Sequence, residues 1–200
     1  GKLSFSAPVG NLHGDLHGGN LVARFDDFTQ PPSMIDFARY QPRGLLFFDL
    51  AYLELDMLLH RMTDQPAESW TGLVAYLHSE IDPAAGYGEG YEYCASQRAQ
   101  VIRQYVAALL APLKVPDDPH ESTLPRRFEA AWWLAAAAAG MVFARRDSYQ
   151  GKREARMCYL YSAFAFRQLL RVTGLPVPAP QGAIPPFLID IPAPEPASRG

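Results

Sequence analysis

The sequence has few cysteines. Only Cys94 and Cys158 occur among its 200 residues, they lie far apart, and no C-x-x-C pair is present. Small secreted domains that depend on disulfides carry several cysteines at close spacing. The cysteine content therefore argues against a disulfide framework. It favours a reducing compartment and predicts a cytoplasmic location.

Strong net charge and long apolar runs are also missing. The formal net charge is -3 at pH 7, so the charge balance does not indicate a nucleic-acid-binding surface. The most apolar run, residues 130–144, has about fifteen residues, fewer than the roughly twenty that span a bilayer. No charged-then-apolar leader opens the chain. We therefore expect neither a nucleic-acid partner nor a membrane partner, and we expect this run to form a buried core helix.

A dense group of polar residues lies near the start of the chain. Residues 13–20, called the polar loop below, have the sequence H-G-D-L-H-G-G-N, and M-I-D-F follows at residues 34–37. Asp15 and Asn20 have the D-x-x-x-x-N spacing of a phosphoryl-transfer catalytic loop. Asp36 follows at a position suited to a second metal ligand.

The chemistry of phosphoryl transfer accounts for these residue types. A carboxylate such as that of Asp15 can orient an acceptor hydroxyl and accept its proton. Magnesium prefers oxygen ligands, and the Asn20 amide and the Asp36 carboxylate supply two of them. A β-hairpin with strands predicted at residues 21–25 and 33–37 would bring the two ligands together.

The order of these motifs resembles that of the aminoglycoside phosphotransferase and choline kinase group of the protein-kinase-like superfamily. That group carries H-G-D-x-H-x-x-N, a short hairpin, [IL]-D-[FW] and D-[LF]-A, and the match covers residues 9–59. The resemblance implies that a magnesium-dependent enzyme transfers phosphate from ATP to a hydroxyl of a small-molecule substrate. Asp15 would be the catalytic residue, and Asn20 and Asp36 would be the magnesium ligands. It also implies two residues that support the loop, His13 and Asp49.

The fold class implied is α+β and mostly α. It corresponds to the helical C-terminal lobe of a kinase-like protein, with a small β-hairpin at the catalytic loop. Hydrophobic spacing predicts five helices, at residues 45–62, 66–81, 93–110, 124–146 and 153–173.

The predicted domain organisation is simple. Residues 1–174 would form the kinase-like lobe, which contains the catalytic loop at residues 13–20 and the metal-ligand segment at residues 34–38. Residues 175–200 are rich in proline and would form an extended or disordered tail.

In complete kinase-like enzymes an ATP-binding lobe precedes the catalytic loop. That lobe supplies a phosphate-covering loop and a lysine that pairs with the phosphates. Lys2 is the only lysine before residue 13, and no glycine-rich strand-loop-strand pattern occurs there. We therefore expect the N-terminal lobe to be absent and the isolated chain to be inactive. The missing lobe would come from a longer protein or from a partner domain, so the nucleotide-binding residues stay unknown.

A second resemblance implies a different class of function. The stretches at residues 35–39 and 49–54 are also similar to ternary-complex-associated domains, which are attached to bacterial multi-domain signalling proteins. The alternative function is therefore a non-catalytic, kinase-like regulatory module. An NTPase or sensor domain upstream would favour the module, and a lysine-bearing strand with a phosphate-covering loop would favour the enzyme.

A zinc site is a further alternative. His13 and His17 are four residues apart, so their rings could approach one metal ion, with Asp15 or Asp36 as the third ligand. The glycines within residues 14–19 disfavour the helix that usually carries such a pair. We therefore expect no zinc site, and no function is assigned to His17.

Several other segments have structural interpretations. Residues 8–10 and 41–44 are predicted to be turns, because they contain glycine and proline. Glu54 and Asp56 are predicted to form a solvated or salt-bridged helix face. A basic cluster could meet phosphate but is predicted to form a solvated rim; it consists of Arg145, Arg146, Lys152, Arg153 and Arg156.

Overall fold

The computed structural model describes residues 7–23, 32–78, 88–110 and 123–177. These residues form short strands and longer α-helices, which confirms an α+β chain that is mostly α. The strands are β1 (Val9–Leu12), β2 (Leu21–Val22), β3 (Ser33–Met34) and β4 (Gln41–Leu45). The α-helices are α1 (Phe48–Met62), α2 (Ala67–Leu77), α3 (Gly90–Leu110), α4 (Thr123–Ala144) and α5 (Arg153–Val172).

The hydrophobic core lies between the helices. Helix α1 packs against α3 and α4, and α4 packs along α5. The apolar run at residues 130–144 forms the second half of α4, and most of its residues are buried, which confirms the predicted core helix. Among the described residues, no helix has both the length and the apolar character needed to cross a bilayer.

Small residues allow α4 and α5 to approach closely. A Cβ atom at Gly140 would lie 2.8 Å from the Cys158 carbonyl oxygen and 2.8 Å from the Ser162 Cβ. The Ser162 hydroxyl donates a hydrogen bond of 2.7 Å to the Ala137 carbonyl oxygen. The backbones of the two helices are therefore in near contact at this point, as the alanine-rich sequence suggests.

Strands β1 and β4 form an antiparallel pair that replaces two predicted turns. Val9 pairs with Leu45 and Gly10 pairs with Gly44, so the predictions for residues 8–10 and 41–44 are wrong. A Cβ atom at Gly44 would lie 2.2 Å from a Leu12 side-chain carbon, so this glycine permits close strand approach rather than a turn. Pro42 is compatible with β4 because the described sheet has only two strands.

Strands β2 and β3 form the predicted hairpin pair, but over fewer residues. Leu21 pairs with Met34 and Val22 pairs with Ser33. The strand predicted to reach residue 37 ends earlier because Asp36 adopts a left-handed backbone conformation with φ of 60°. A 3₁₀ helix, Phe37–Arg39, then replaces the expected strand end.

The helix ends differ modestly from the predictions. Helix α1 begins at Phe48 rather than residue 45, and α4 ends at Ala144, which leaves Arg146 beyond the helix. Helix α5 ends as expected before Gly174, where φ of 70° and a hydrogen bond from the Leu175 amide to the Leu170 carbonyl complete the C-terminal cap. Most of the connection between the two predicted hairpin strands, the end of the second predicted helix at residue 81 and most of the tail lie outside the described residues.

Candidate functional site

The polar loop lies along one face of α1. Asp49, Tyr52 and Asp56 have i, i+3, i+7 spacing, so they project from the same side of this helix. Their side chains bond to the loop in matching order: Asp49 to residues 13 and 14, Tyr52 to residue 15, and Asp56 to residue 18. One helix face therefore fixes most of the loop.

Asp49 binds the first two residues of the loop. Its Oδ2 atom accepts a hydrogen bond of 2.6 Å from the His13 amide, and its Oδ1 atom accepts one of 2.9 Å from the Gly14 amide. Gly14 has φ of 83°, and a Cβ atom there would lie 2.1 Å from the Arg39 carbonyl oxygen. These contacts place Asp49 where a loop-supporting residue is needed. They also explain why a glycine precedes Asp15.

Asp56 binds the other end of the loop. Its side chain is buried, and its Oδ2 atom accepts a hydrogen bond of 2.9 Å from the Gly18 amide. Its Oδ1 atom lies 3.6 Å from the Nδ1 atom of His60. The solvated part of the prediction is therefore wrong for Asp56, because the loop covers this face of α1. The salt-bridged part is confirmed for Glu54, whose Oε1 atom lies 2.8 Å from Arg103 Nη2.

The Asp15 carboxylate is surrounded by donors. The Tyr52 hydroxyl donates a hydrogen bond of 2.8 Å to Oδ1. Arg146 Nη2 lies 3.5 Å from the same oxygen, and Arg39 Nε lies 3.7 Å from Oδ2. Two guanidinium groups and one neutral hydroxyl thus surround a single negative charge.

Tyr52 and Arg146 form a coupled pair beside Asp15. Arg146 Nη2 donates a hydrogen bond to the Tyr52 hydroxyl, and its guanidinium carbon lies 4.0 Å from the Phe143 ring centroid. Burial, together with the hydrogen bond to Asp15, raises the pKa of Tyr52 to about 12. The hydroxyl therefore keeps its proton at neutral pH. Arg146 is half-buried in this site, so its assignment to a solvated rim is wrong.

Asn20, the last residue of the polar loop, is buried. Its Nδ2 atom donates a hydrogen bond of 3.0 Å to the Asp15 carbonyl oxygen, which leaves the amide oxygen as the atom suited to a metal. The Ile35 amide donates a hydrogen bond of 3.0 Å to the Asn20 carbonyl oxygen. This bond brings the backbone of Asn20 beside the residue that precedes Asp36.

Asp36 lies at the surface, next to this backbone contact. Its Oδ1 atom accepts a hydrogen bond of 3.4 Å from the Ala38 amide, so the side chain caps the following 3₁₀ helix. The hairpin thus brings the backbones together, whereas the Asn20 side chain is buried and the Asp36 side chain is exposed. An amide oxygen and a carboxylate form a donor set that suits magnesium, so their assignment as its ligands stays a prediction.

The two histidines bond to backbone atoms rather than to each other. His13 Nε2 lies 2.6 Å from the Ile35 carbonyl oxygen, and because a carbonyl only accepts, Nε2 carries the proton. His17 Nδ1 accepts a hydrogen bond of 3.1 Å from the Gly19 amide. The described residues contain no group of three or more His, Cys, Asp or Glu side chains that could hold a metal ion. The geometry therefore gives no support to the zinc alternative.

Asp15 opens into a surface cleft of about 590 Å³, called the Asp15 cleft below. Its walls come from the polar loop, the 3₁₀ helix that contains Arg39, helix α1, and the chain around the end of α4. The other lining residues are Tyr52, Val142, Arg145, Arg146, Asp147 and Ser148. The cleft is large enough for a small molecule.

Sequence reasoning missed four residues of this site, and the available signals differ. Tyr52 and Asp56 could have been identified, because they share the helical face of Asp49. Arg39 and Arg146 carry no comparable local signal. They reach Asp15 only because separate elements of the chain pack together.

Comparisons with known proteins return no matching family model, no matching curated protein and no matching solved structure. The resemblance to the kinase group therefore depends on the sequence motifs alone.

Proposed function

We propose that the chain is the C-terminal lobe of an ATP-dependent phosphotransferase that acts on a hydroxyl of a small molecule. One observation carries the proposal: Asp15 lines a cleft, on a loop that three side chains of one helix hold in place. Phosphoryl transfer requires an acceptor hydroxyl held in line with the γ-phosphorus. A loop fixed by its backbone is suited to that task.

Each residue has a distinct role in this proposal. Asp15 orients the acceptor hydroxyl and takes its proton. Asn20 and Asp36 hold a magnesium ion, which would neutralise charge on the ATP phosphates. Tyr52 holds the Asp15 carboxylate through a donated hydrogen bond. ATP would be bound by an N-terminal lobe from a longer protein or from a partner domain. We therefore expect the 200-residue chain by itself to transfer no phosphate from ATP.

Metal binding tests the proposal on the chain alone. We expect Mn²⁺, as a paramagnetic substitute for Mg²⁺, to broaden the amide resonances around residues 20 and 36, and excess Mg²⁺ to reverse this. Asp36→Ala should abolish the effect and Asn20→Ala should weaken it. Asp147→Ala is the matched control, because Asp147 is an exposed aspartate that lines the Asp15 cleft and is not one of the two assigned ligands. Mn²⁺ broadening unchanged in Asp36→Ala would remove the metal assignment.

Activity tests the proposal on the complete protein. With ATP, Mg²⁺ and a panel of small alcohols, amino alcohols and sugars, ³¹P NMR should detect a phosphorylated acceptor. Asp15→Asn should remove the product because the amide cannot accept the hydroxyl proton, whereas Asp64→Asn, at an exposed aspartate outside the cleft, should retain it. Product formation that survives Asp15→Asn would contradict the assigned role.

One observation favours the alternative of a non-catalytic regulatory module. Both carboxylate oxygens of Asp15 have an arginine nitrogen within 3.7 Å, and one also bonds to Tyr52. Such neutralisation suits a structural aspartate as well as an orienting one. For a module, the complete protein forms no phosphorylated product, and Asp15→Asn lowers stability without any effect on phosphoryl transfer.

A further inference from the structure

A second cavity lies near the opposite end of α4 from the Asp15 cleft. It has a volume of about 380 Å³ and is called the His78 cavity below. Helix α4 contributes residues 126–133 to it, whereas the Asp15 cleft begins at residue 142. At 1.5 Å per residue, the two are separated by roughly 14 Å along the helix. The His78 cavity is therefore a distinct site.

His78, one of the residues that line the cavity, has a buried acceptor with no partner. His78 is 1 % exposed, and its Nδ1 atom lies 2.8 Å from the Val74 carbonyl oxygen. Because that carbonyl only accepts, Nδ1 carries the proton and Nε2 is left with a free lone pair. Nε2 is buried and has no hydrogen-bond partner. Buried polar atoms without partners are rare in folded proteins, so this one calls for an explanation.

The His78 ring is directed away from its own helix. Nδ1 bonds back to the carbonyl of Val74 on α2, so the Nε2 edge faces outward from that helix. The ring centroid lies 5.3 Å from that of Trp133 on α4 and 4.8 Å from that of Tyr161 on α5. Burial and the charge of Arg103 lower the pKa of His78, so the ring is neutral and Nε2 remains an acceptor.

The rim of the cavity is positively charged. Arg126 and Arg171 are exposed lining residues, and with Glu129 they give a formal charge of one positive unit. Gln168 is buried, donates a hydrogen bond to the His78 carbonyl, and accepts one of 3.4 Å from Arg171 Nη1. This contact holds the guanidinium of Arg171 at the cavity.

We propose that the His78 cavity binds a small planar carboxylate that carries a hydroxyl group. The hydroxyl donates to His78 Nε2, the planar body lies against Trp133, and the carboxylate lies between Arg126 and Arg171. The cavity volume falls within the range of small-molecule sites. This site is separate from the phosphotransferase proposal and does not depend on it.

A matched set of three probes tests the proposal on the 200-residue chain. The probe is 4-hydroxybenzoate, benzoate lacks the hydroxyl, and 4-hydroxybenzyl alcohol lacks the carboxylate. With ¹⁵N-labelled histidine, 4-hydroxybenzoate should shift the Nε2 resonance of His78 saturably. The other two compounds should bind at least about tenfold more weakly, because each loses one polar contact.

Variants of the exposed arginines complete the test without altering the buried histidine. The double variant Arg126→Gln, Arg171→Gln should weaken 4-hydroxybenzoate binding at least about tenfold, because the carboxylate loses its cations. Arg145→Gln, in the Asp15 cleft, is the control and should leave binding unchanged. Equal affinity for all three probes, binding that survives the double variant, or no saturable shift at millimolar probe would each overturn the proposal.

Discussion

The acidic residues of α1 have contrasting environments on two sides of the same helix. Asp49 and Asp56 accept hydrogen bonds from backbone amides of the polar loop. Glu54 lies roughly 140° around the helix from Asp49 and is fully buried between helices. There it accepts two hydrogen bonds of 2.8 Å from Arg103 on α3 and one of 2.8 Å from Tyr161 on α5.

The difference shows that similar carboxylates can have unrelated functions in one helix. Asp49 and Asp56, on the side of α1 that faces the polar loop (the loop side below), accept hydrogen bonds from backbone amides that have no partner in a helix or sheet. On the core side, Glu54 depends on a mostly buried cation for neutralisation. Changes on the loop side should therefore act locally on the site, whereas changes on the core side should affect the whole fold.

The largest effect on stability is expected from breaking the Glu54–Arg103 pair, on the side of α1 that faces the core. Arg103→Met leaves Glu54 buried without its cation, and loss of one partner of a buried pair typically lowers the free energy of unfolding by about 3–5 kcal/mol. Chemical denaturation measures this change. Arg98→Met, an exposed arginine on the same helix, is the control and should stay within about 0.5 kcal/mol. The double variant Glu54→Met, Arg103→Met should recover part of the lost stability, because no buried charge is then left without a partner. A loss below about 1 kcal/mol for Arg103→Met would contradict the expectation that this pair supports the whole fold.

A smaller and more local effect is expected at Asp49. Asp49→Ala leaves the amides of His13 and Gly14 without their acceptor, at a cost of about 1–3 kcal/mol. Hydrogen exchange should accelerate at these two amides while the amides of α4 keep their protection. Asp64→Ala, at an exposed site, should change neither. Uniformly faster exchange throughout the helices would show that Asp49 supports the whole fold instead.

Removal of the Tyr52 hydroxyl should have a still smaller effect on stability. Tyr52→Phe keeps the buried ring but removes the hydroxyl that hydrogen-bonds to both Asp15 and Arg146, at a cost of about 1 kcal/mol. The side-chain NMR signals of Arg146 should shift as its acceptor disappears. Tyr105→Phe, an exposed tyrosine on α3, should leave both measurements unchanged. An unperturbed Arg146 in Tyr52→Phe would mean that the two residues are not coupled.

The smallest expected effect is a loss of folding stability at acidic pH that is caused by the buried His78. The folded-state pKa of His78 lies below its ordinary value of about 6.5, because of burial and the charge of Arg103. Well above pH 6.5, His78 is neutral in both the folded and the unfolded chain, so it does not make the free energy of unfolding depend on pH. As the pH falls below that value, the unfolded chain binds a proton that the folded chain excludes, so stability decreases.

The expected loss is about 1 kcal/mol or less at pH 6, measured by denaturation at several pH values. His78→Gln should flatten this part of the stability profile, whereas His60→Gln should leave it in place, since His60 is exposed. An unchanged slope in His78→Gln would assign the acid sensitivity to other groups.

Local sequence signals accounted for much of the fold and only part of the site. The spacing of apolar residues predicted the described helices, because amphipathic periodicity is a local property. The same approach failed at residues 8–10 and 41–44, where glycine and proline indicated turns. Residues 9–10 and 41–44 instead belong to β1 and β4, whose paired residues lie between 29 (Leu12 with Gln41) and 36 (Val9 with Leu45) positions apart in the chain, and composition does not report such pairing.

The sequence by itself determined the helical class, the buried apolar run of α4, and the group of loop residues with the spacing of phosphoryl-transfer chemistry. Only the tertiary structure decided which charges meet. It placed Arg39 and Arg146 at Asp15, buried Glu54 with Arg103, and left His78 Nε2 without a partner. The physical reason is range: helix periodicity depends on neighbours three or four residues apart, whereas a salt bridge depends on the position of whole elements.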